Sequence, residues 1–311
     1  MVFVHLLLLA VGFLMLVKGA DWFVDGASGI AEKLKIPQLV IGLTIVAMGT
    51  SAPETAVSIT AAIKGNADIS VGNVVGSNIL NVLIILGISS VITAIAVAKT
   101  TVRYEIPIML VATALLLVFG MTDGRIVLWE GVVLLACFIL YLLYMFVMVK
   151  RGEMQSEESE SSNKPLWQLI LFGIIGLLLI VWGSDITVDA ATALAKIFGM
   201  SDKFIGLTVV ALGTSLPELF TSVIAARKGK ADIAIGNIVG SNIFNILFVI
   251  GTSALILPIA FEASFMIDCL VAAGAGIVLW LCVFRKKKLT RAHGIIMLAC
   301  YAAYFAYLCI K

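Results

Sequence analysis

Apolar residues dominate this chain in runs of about twenty, separated by brief polar or basic breaks that recur from end to end. The runs fall near residues 2–30, 37–63, 69–95, 104–121, 126–149, 166–194, 203–226, 233–260, 264–284 and 291–310. Each could cross a bilayer as a helix, so the pattern predicts an all-α polytopic membrane protein with ten transmembrane helices. The first run has no basic stretch before it and no small-residue cleavage site, and it reads as a span and not a cleaved leader. One segment breaks the rhythm: KRGEMQSEESESSNKP, residues 150–165, is polar, acidic and too short to fold. It divides the chain into five spans at 1–149 and five at 166–311.

The two halves match. A shift of 164 residues carries Asp21 onto Asp185, Asp25 onto Asp189, Glu54 onto Glu218, Ser77 onto Ser241 and Asn81 onto Asn245. Between Ile41–Gly87 and Ile205–Gly251, 29 of 47 positions are identical, far more than shared apolar composition gives. Five is odd, so the second copy enters the membrane from the opposite face and the repeats are inverted. In transporters built this way the substrate site lies near the midplane, where interrupted helices of the two repeats meet.

Composition narrows the class further. With 61% hydrophobic and 13% charged residues, the chain has too little polar surface for a soluble protein. A net charge of +2 says nothing about nucleic acid, and no nucleic-acid partner is expected. The five cysteines, Cys137, Cys269, Cys282, Cys300 and Cys309, lack CxxC spacing and suggest neither a disulfide framework nor zinc, while His5 and His293 are too few for a metal cluster. If the N-terminus is outside, fifteen Lys and Arg fall on inner loops and five on outer ones, with Lys18 inside the first span. That bias predicts a multi-pass protein of the cell membrane with both termini outside and the linker cytoplasmic.

Against this background two polar phrases stand out within apolar runs, GTSAPETAVS from Gly49 and GTSLPELFTS from Gly213. Pro53 and Pro217 lack an N–H and disfavour helical geometry in the residue before them. The second and seventh helices are therefore expected to be interrupted around Thr50–Ala52 and Thr214–Leu216. Carbonyls freed at membrane depth are tolerable where they line a cavity. Thr50, Ser51 and Glu54 from one repeat, and Thr214, Ser215 and Glu218 from the other, add hydroxyl and carboxylate oxygens. Ser77 with Asn81, and Ser241 with Asn245, stand four residues apart on one helical face and add more. An all-oxygen set points to sodium or calcium, with manganese third, and away from zinc or copper. The remaining polar residues take quieter roles: Gly72 with Gly76 and Gly236 with Gly240 as close-packing pairs, Asn73, Asn78, Asn237 and Asn242 as bonds across helices, and Asp21, Asp25, Asp185 and Asp189 as interfacial acids paired with a neighbour such as Lys18.

At these residues the chain resembles the sodium/calcium exchangers of the calcium/cation antiporter superfamily, whose α-repeats look like the doubled GTSxPE and GSNxxN segments. The resemblance covers nearly the whole chain. It implies a ten-helix inverted-repeat fold that exchanges several sodium ions for calcium, with Glu54 and Glu218 as central ligands. It further implies backbone carbonyl ligands at Ala47 and Ala211, flanking sodium sites lined by Thr50, Ser51, Ser77, Thr214, Ser215 and Ser241, and a centre completed by Asn81 and Asn245. The chain departs from the family in two places. The animal exchangers carry large calcium-sensing domains in the central loop, so a sixteen-residue linker implies no regulatory calcium-binding domain. Potassium-dependent members carry Asp where this chain has Asn245, which puts potassium co-transport in doubt.

No cofactor and no enzymatic reaction are expected: the chain has no HExxH and no nucleophile with a matched base. A calcium/proton antiporter would share the glutamate pair, since protonation also neutralises a carboxylate, but the many flanking hydroxyls suit sodium better. A cation channel is less compatible, because filters usually form on an axis between subunits and here one chain supplies both halves of a closed site.

Overall fold

A computed structural model of the protein describes residues 2–151, 164–200 and 211–310, and nearly all of them are helical. The elements are α1 (Val2–Leu34), α2 (Gln38–Thr50), α3 (Ala52–Ile63), α4 (Ile69–Ile92), α5 (Thr101–Asp123), α6 (Leu128–Arg151), α7 (Leu166–Ile197), α8 (Ala211–Gly213), α9 (Leu216–Arg227), α10 (Ala231–Ile256), α11 (Ala263–Phe284) and α12 (Arg291–Ile310). Among the described residues eight helices are long and apolar enough to cross a membrane, and the pair α2–α3, bent by 49°, makes a ninth. The expected span at 203–226 starts at residues outside the described set, and its described part is α8 with α9.

Glycine determines how the two longest helices meet. A Cβ on Gly19 would stand 2.8 Å from the Gly176 carbonyl oxygen, one on Gly176 2.5 Å from the Phe23 nitrogen, and one on Gly183 3.0 Å from the Gly12 carbonyl oxygen. Backbone touches backbone there, as stripes of small residues allow. Since Gly12 lies against Gly183 and Gly19 against Gly176, α1 and α7 run antiparallel. Gly176→Leu is expected to force the pair apart at a cost of about 1–3 kcal/mol, lowering the melting temperature in detergent. Gly173→Leu, on the same helix but with no atom within 4 Å of its Cβ position, is the control that leaves melting unchanged.

In the centre, α4 and α10 are the most enclosed spans. Gly236 and Gly240 pack α10 onto α2 as expected, their Cβ positions 3.0 Å from the Leu39 oxygen and 2.5 Å from the Leu43 oxygen. In the first repeat, among the described residues, a Cβ on Gly72 would meet only the Phe265 ring, at 3.6 Å, and one on Gly76 nothing within 4 Å. The residues equivalent to Leu39 and Leu43 are 203 and 207, which lie outside the described set.

The ends of the bundle are tied by two short antiparallel strand pairs, β1 (Ile95–Ala96) with β4 (Lys288–Leu289) and β2 (Arg125–Ile126) with β3 (Ile259–Ala260). α3 and α9 terminate alike: Lys64 and Lys228 cap them, followed by Gly65 at φ 86° and Gly229 at φ 74°, a left-handed turn that glycine adopts without strain.

Candidate cation site

The site forms where α2–α3 and α8–α9 break. Ser51 (φ −81°, ψ 11°) and Ser215 (φ −90°, ψ 2°) leave helical geometry one residue after Thr50 and Thr214. Each proline then sits in the first turn of the new helix, where its missing N–H costs nothing. The same turn carries Glu54 or Glu218, placing an anion at a helix N-terminus as the backbone dipole favours. Both glutamates are fully enclosed. The Gly213 carbonyl, which Pro217 cannot satisfy, accepts the Ser184 hydroxyl at 2.7 Å.

Across from the breaks, α4 and α10 are locked by reciprocal amides. Asn78 donates to the Asn242 carbonyl and Asn242 to the Asn78 carbonyl, each at 3.1 Å. Asn81 Nδ2 donates to Asn242 Oδ1 at 3.0 Å, and Asn245 Nδ2 to Asn78 Oδ1 at 3.2 Å. With their donors spent on one another, Asn81 and Asn245 keep Oδ1 as a bare acceptor. Each also opens a wide π turn, Asn81–Ile85 and Asn245–Ile250, a distortion often found at functional positions.

A second duplicated device holds the glutamates. Asn73 Nδ2 donates to the Glu54 carbonyl (3.1 Å) and Ser58 Oγ (2.9 Å); Asn237 Nδ2 donates to the Glu218 carbonyl (3.4 Å) and Ser222 Oγ (3.0 Å). Sequence reasoning anticipated the asparagine bonds but missed Ser58 and Ser222. Their signal was present: each lies four residues after its glutamate, on the same helical face, and each is conserved between the repeats.

The charge logic follows from what is left over. Among the described residues ten buried side-chain polar atoms lack a hydrogen-bond partner, and five of them belong to expected site residues: Glu54 Oε2, Asn81 Oδ1, Ser215 Oγ, Glu218 Oε2 and Asn245 Oδ1. A buried unpaired oxygen is costly. Four of these five are acceptors, if the carboxylates are ionised, an arrangement chemically suited to a cation that takes oxygen ligands. Elsewhere in the bundle, Glu105, which sequence reasoning did not single out, accepts from Tyr144 at 2.7 Å on one oxygen and has no partner on the other.

The two halves of the site are not equally closed. Thr50 Oγ1 lies 3.0 Å from Asn237 Oδ1, Ser51 Oγ donates to Glu218 Oε1 at 2.8 Å, and Ser241 Oγ donates to the Ala47 carbonyl at 3.3 Å. That carbonyl also takes the Ser51 N–H at 3.0 Å. On the matched side Ser77 Oγ reaches Glu54 Oε1 only at 3.5 Å, Ser215 Oγ has no partner, and Thr214, which approaches Glu54, is half-buried where Thr50 is buried. Ala211 begins α8. Of the expected residues, the structure links Ser51 with Glu218, Ser77 with Glu54 and Ser241 with Ala47, whereas Asn81 and Asn245 bond to Asn242 and Asn78 on the facing helices. Asp21 and Asp25 do pair with a cation, but with Lys228, at 2.6 Å, and not Lys18, because α1 lies along α9 and the ammonium at its end comes between the two carboxylates.

Comparison with known proteins places this geometry in context. The family model described as sodium/calcium exchanger protein matches residues 4–147 and 168–310. The sodium/calcium exchanger MaX1 of Methanosarcina acetivorans is 33% identical over 347 aligned residues, covering 99% of each chain. Inner membrane protein YrbG of Escherichia coli is 36% identical over 97% of this chain and 95% of its own. Among solved structures, the sodium-calcium exchanger NCX_Mj superposes with a TM-score of 0.85 at 34% identity, covering 99% of this chain and 100% of that one.

Proposed function

The chain belongs to the sodium/calcium exchanger family, and from that premise we propose that it is a secondary antiporter exchanging sodium for calcium across the membrane by alternating access. The observation that carries the reading is that Glu54 Oε2, Glu218 Oε2, Asn81 Oδ1 and Asn245 Oδ1, on helices that pack against one another, are buried acceptors without a donor among the described residues. Ala47, Thr50, Ser51, Ser77, Ala211, Thr214, Ser215 and Ser241 complete the ligand set as flanking carbonyls and hydroxyls.

The same charges explain exchange in place of leak. Two ionised carboxylates enclosed without a cation would bury uncompensated charge at several kcal/mol. Calcium neutralises both, and so do two sodium ions. The site changes face when loaded with either, and an ion-free crossing is disfavoured. The hydroxyls of Thr50, Ser51, Ser77 and Ser241 favour sodium over the proton as counter-ion, since a proton needs only a carboxylate.

The architecture we propose is ten spans in two inverted repeats, 1–149 and 166–311, joined by a cytoplasmic linker at 150–165. Antiparallel α1 and α7, in contact through the equivalent glycines Gly12/Gly176 and Gly19/Gly183, support the inversion. So do the strand pairs: the 164-residue shift carries β1 onto β3 and β2 close to β4, so the repeat operation exchanges one pair for the other. Orientation is tested with single cysteines at Lys288 and Arg125 in a background free of the native five. An impermeant reagent on intact cells is expected to label the second and not the first; the reverse result would invert the assignment.

The deciding experiment is calcium uptake into proteoliposomes, with sodium and proton gradients imposed separately. Outward sodium is expected to drive uptake. Uptake driven by protons alone would make the protein a calcium/proton antiporter, and single-channel currents would make it a channel.

A further inference from the structure

The lysine at the end of α9 joins two repeats. Lys228 Nζ sits 2.6 Å from a carboxylate oxygen of Asp21 and 2.6 Å from one of Asp25, and donates to the Asp21 carbonyl at 3.0 Å. Two turns further along α1, Glu32 takes Lys230 at 2.9 Å. These bonds fasten α1 to α9, and the two helices pack along one another. The 164-residue shift maps this triad onto Lys64, Asp185 and Asp189, all present in the sequence. Lys64 caps α3 with the same backbone geometry (φ −80°, ψ 0°) as Lys228 caps α9 (φ −78°, ψ 1°). Yet the second triad is not made: Lys64, Asp185 and Asp189 are exposed, and α7 does not pack along α3.

The same asymmetry reaches the site. Where α1 lies on α9, Ser51 binds Glu218 and Thr50 meets Asn237. On the side where α7 stands off α3, Ser215 lacks a hydrogen-bond partner among the described residues. The faces of α3 bearing Ala52, Ala56 and Thr60 are exposed, while their equivalents Leu216, Phe220 and Ile224 on α9 are half covered. Residues identical in the two repeats thus adopt two arrangements in one molecule.

We propose that Lys228 with Asp21 and Asp25 is a positioning latch of the exchange cycle, holding α1 on α9 in the state seen here, and that Lys64 with Asp185 and Asp189 forms the equivalent latch, holding α7 on α3, in the opposite state. This rests on the alternating-access reading above and adds the residues that weight its two states. The pairs suit the task because they are partly exposed, with side chains 26–46% accessible. Such ion pairs are weak enough to break at each turnover, each changing an equilibrium by roughly 1.4- to 5-fold.

Cross-linking tests the latches without any flux. In a background free of native cysteines, the pairs Asp25→Cys/Lys228→Cys and Asp189→Cys/Lys64→Cys are both expected to form disulfides in membranes, although only the first pair is in contact here. Lys228→Met is expected to raise the yield of the 64/189 cross-link by roughly 2- to 10-fold, and Lys64→Met to raise the 25/228 yield similarly. Lys228→Arg is expected to leave yields near wild type. A purely structural role would move both yields in one direction, and that outcome overturns the proposal. So does failure of the 64/189 pair to link under conditions where 25/228 does. If both links form as expected but wild-type vesicles show no sodium-driven calcium flux, the latch stands and the exchange reading falls.

Discussion

Glu218→Gln is expected to abolish sodium-driven calcium uptake while leaving the protein folded. Glu218 Oε1 accepts the Ser51 hydroxyl, and a glutamine carbonyl can keep that bond, so the helix break and its packing survive. The Nε2 of glutamine then occupies the place of Oε2, turning an acceptor aimed into the site into a donor aimed at the cation. Removing one partner from a buried charge pair costs about 3–5 kcal/mol, or roughly 150- to 4,000-fold in calcium affinity. Two measurements separate ligand loss from misfolding. Calcium is expected to raise the melting temperature of the wild type and not of the variant, as a ligand of the native state does. The ion-free melting temperature of the variant is expected to match or exceed wild type, because like-charge repulsion with Glu54 is gone. Near-normal flux in the variant would falsify the assignment of Glu218 as a central ligand, and Glu54→Gln tests the matched residue in the same way.

Wild-type exchange is expected to be independent of potassium, and Asn245→Asp is expected to disturb it strongly. With amides at both Asn81 and Asn245, the centre holds about two negative charges, enough for calcium with no surplus for an added monovalent ion. In the structure Asn245 Nδ2 donates to Asn78 Oδ1 at 3.2 Å. An aspartate there presents an oxygen to an oxygen unless it is protonated. The lost donor and the third like charge together cost about 1–3 kcal/mol at neutral pH, so uptake is expected to fall about tenfold and to recover partly as pH is lowered or potassium is supplied. The assay is calcium uptake into sodium-loaded proteoliposomes with potassium replaced by a large organic cation on both sides. Collapse of wild-type uptake in that medium would move the protein to potassium-dependent exchange.

Much of this was legible in the residues. Apolar run length located the helices because a bilayer sets their length, and Pro53 and Pro217 located the breaks because a missing N–H acts locally. The duplicated glutamates and asparagines were visible because membrane-buried polar groups are conspicuous against apolar neighbours. What could not be read was anything dependent on one repeat leaning on the other. Lys228 looked like an ordinary loop cation until α1 was laid beside α9. Lys64, Asp185 and Asp189 match Lys228, Asp21 and Asp25 letter for letter, yet the second set is in contact and the first is exposed. Identical sequence in two conformations is beyond any local rule, since the difference lies in what each copy packs against. Ser58 and Ser222 were missed for another reason: serine four residues after a glutamate is common and says nothing until an asparagine from a second helix reaches it.

The ring of four asparagines also bears on ion size. Because Asn81 and Asn245 are each tied to an amide on the facing helix, and Asn78 and Asn242 tie the two backbones together, the amide oxygens cannot close inward on a smaller ion. Magnesium demands near-octahedral ligands at about 2.0–2.1 Å and gives up water reluctantly, whereas calcium accepts irregular oxygen shells at about 2.3–2.6 Å. Under the proposed ligand set, oxygens braced in this way are expected to disfavour magnesium by radius alone, and magnesium is expected not to compete with calcium uptake.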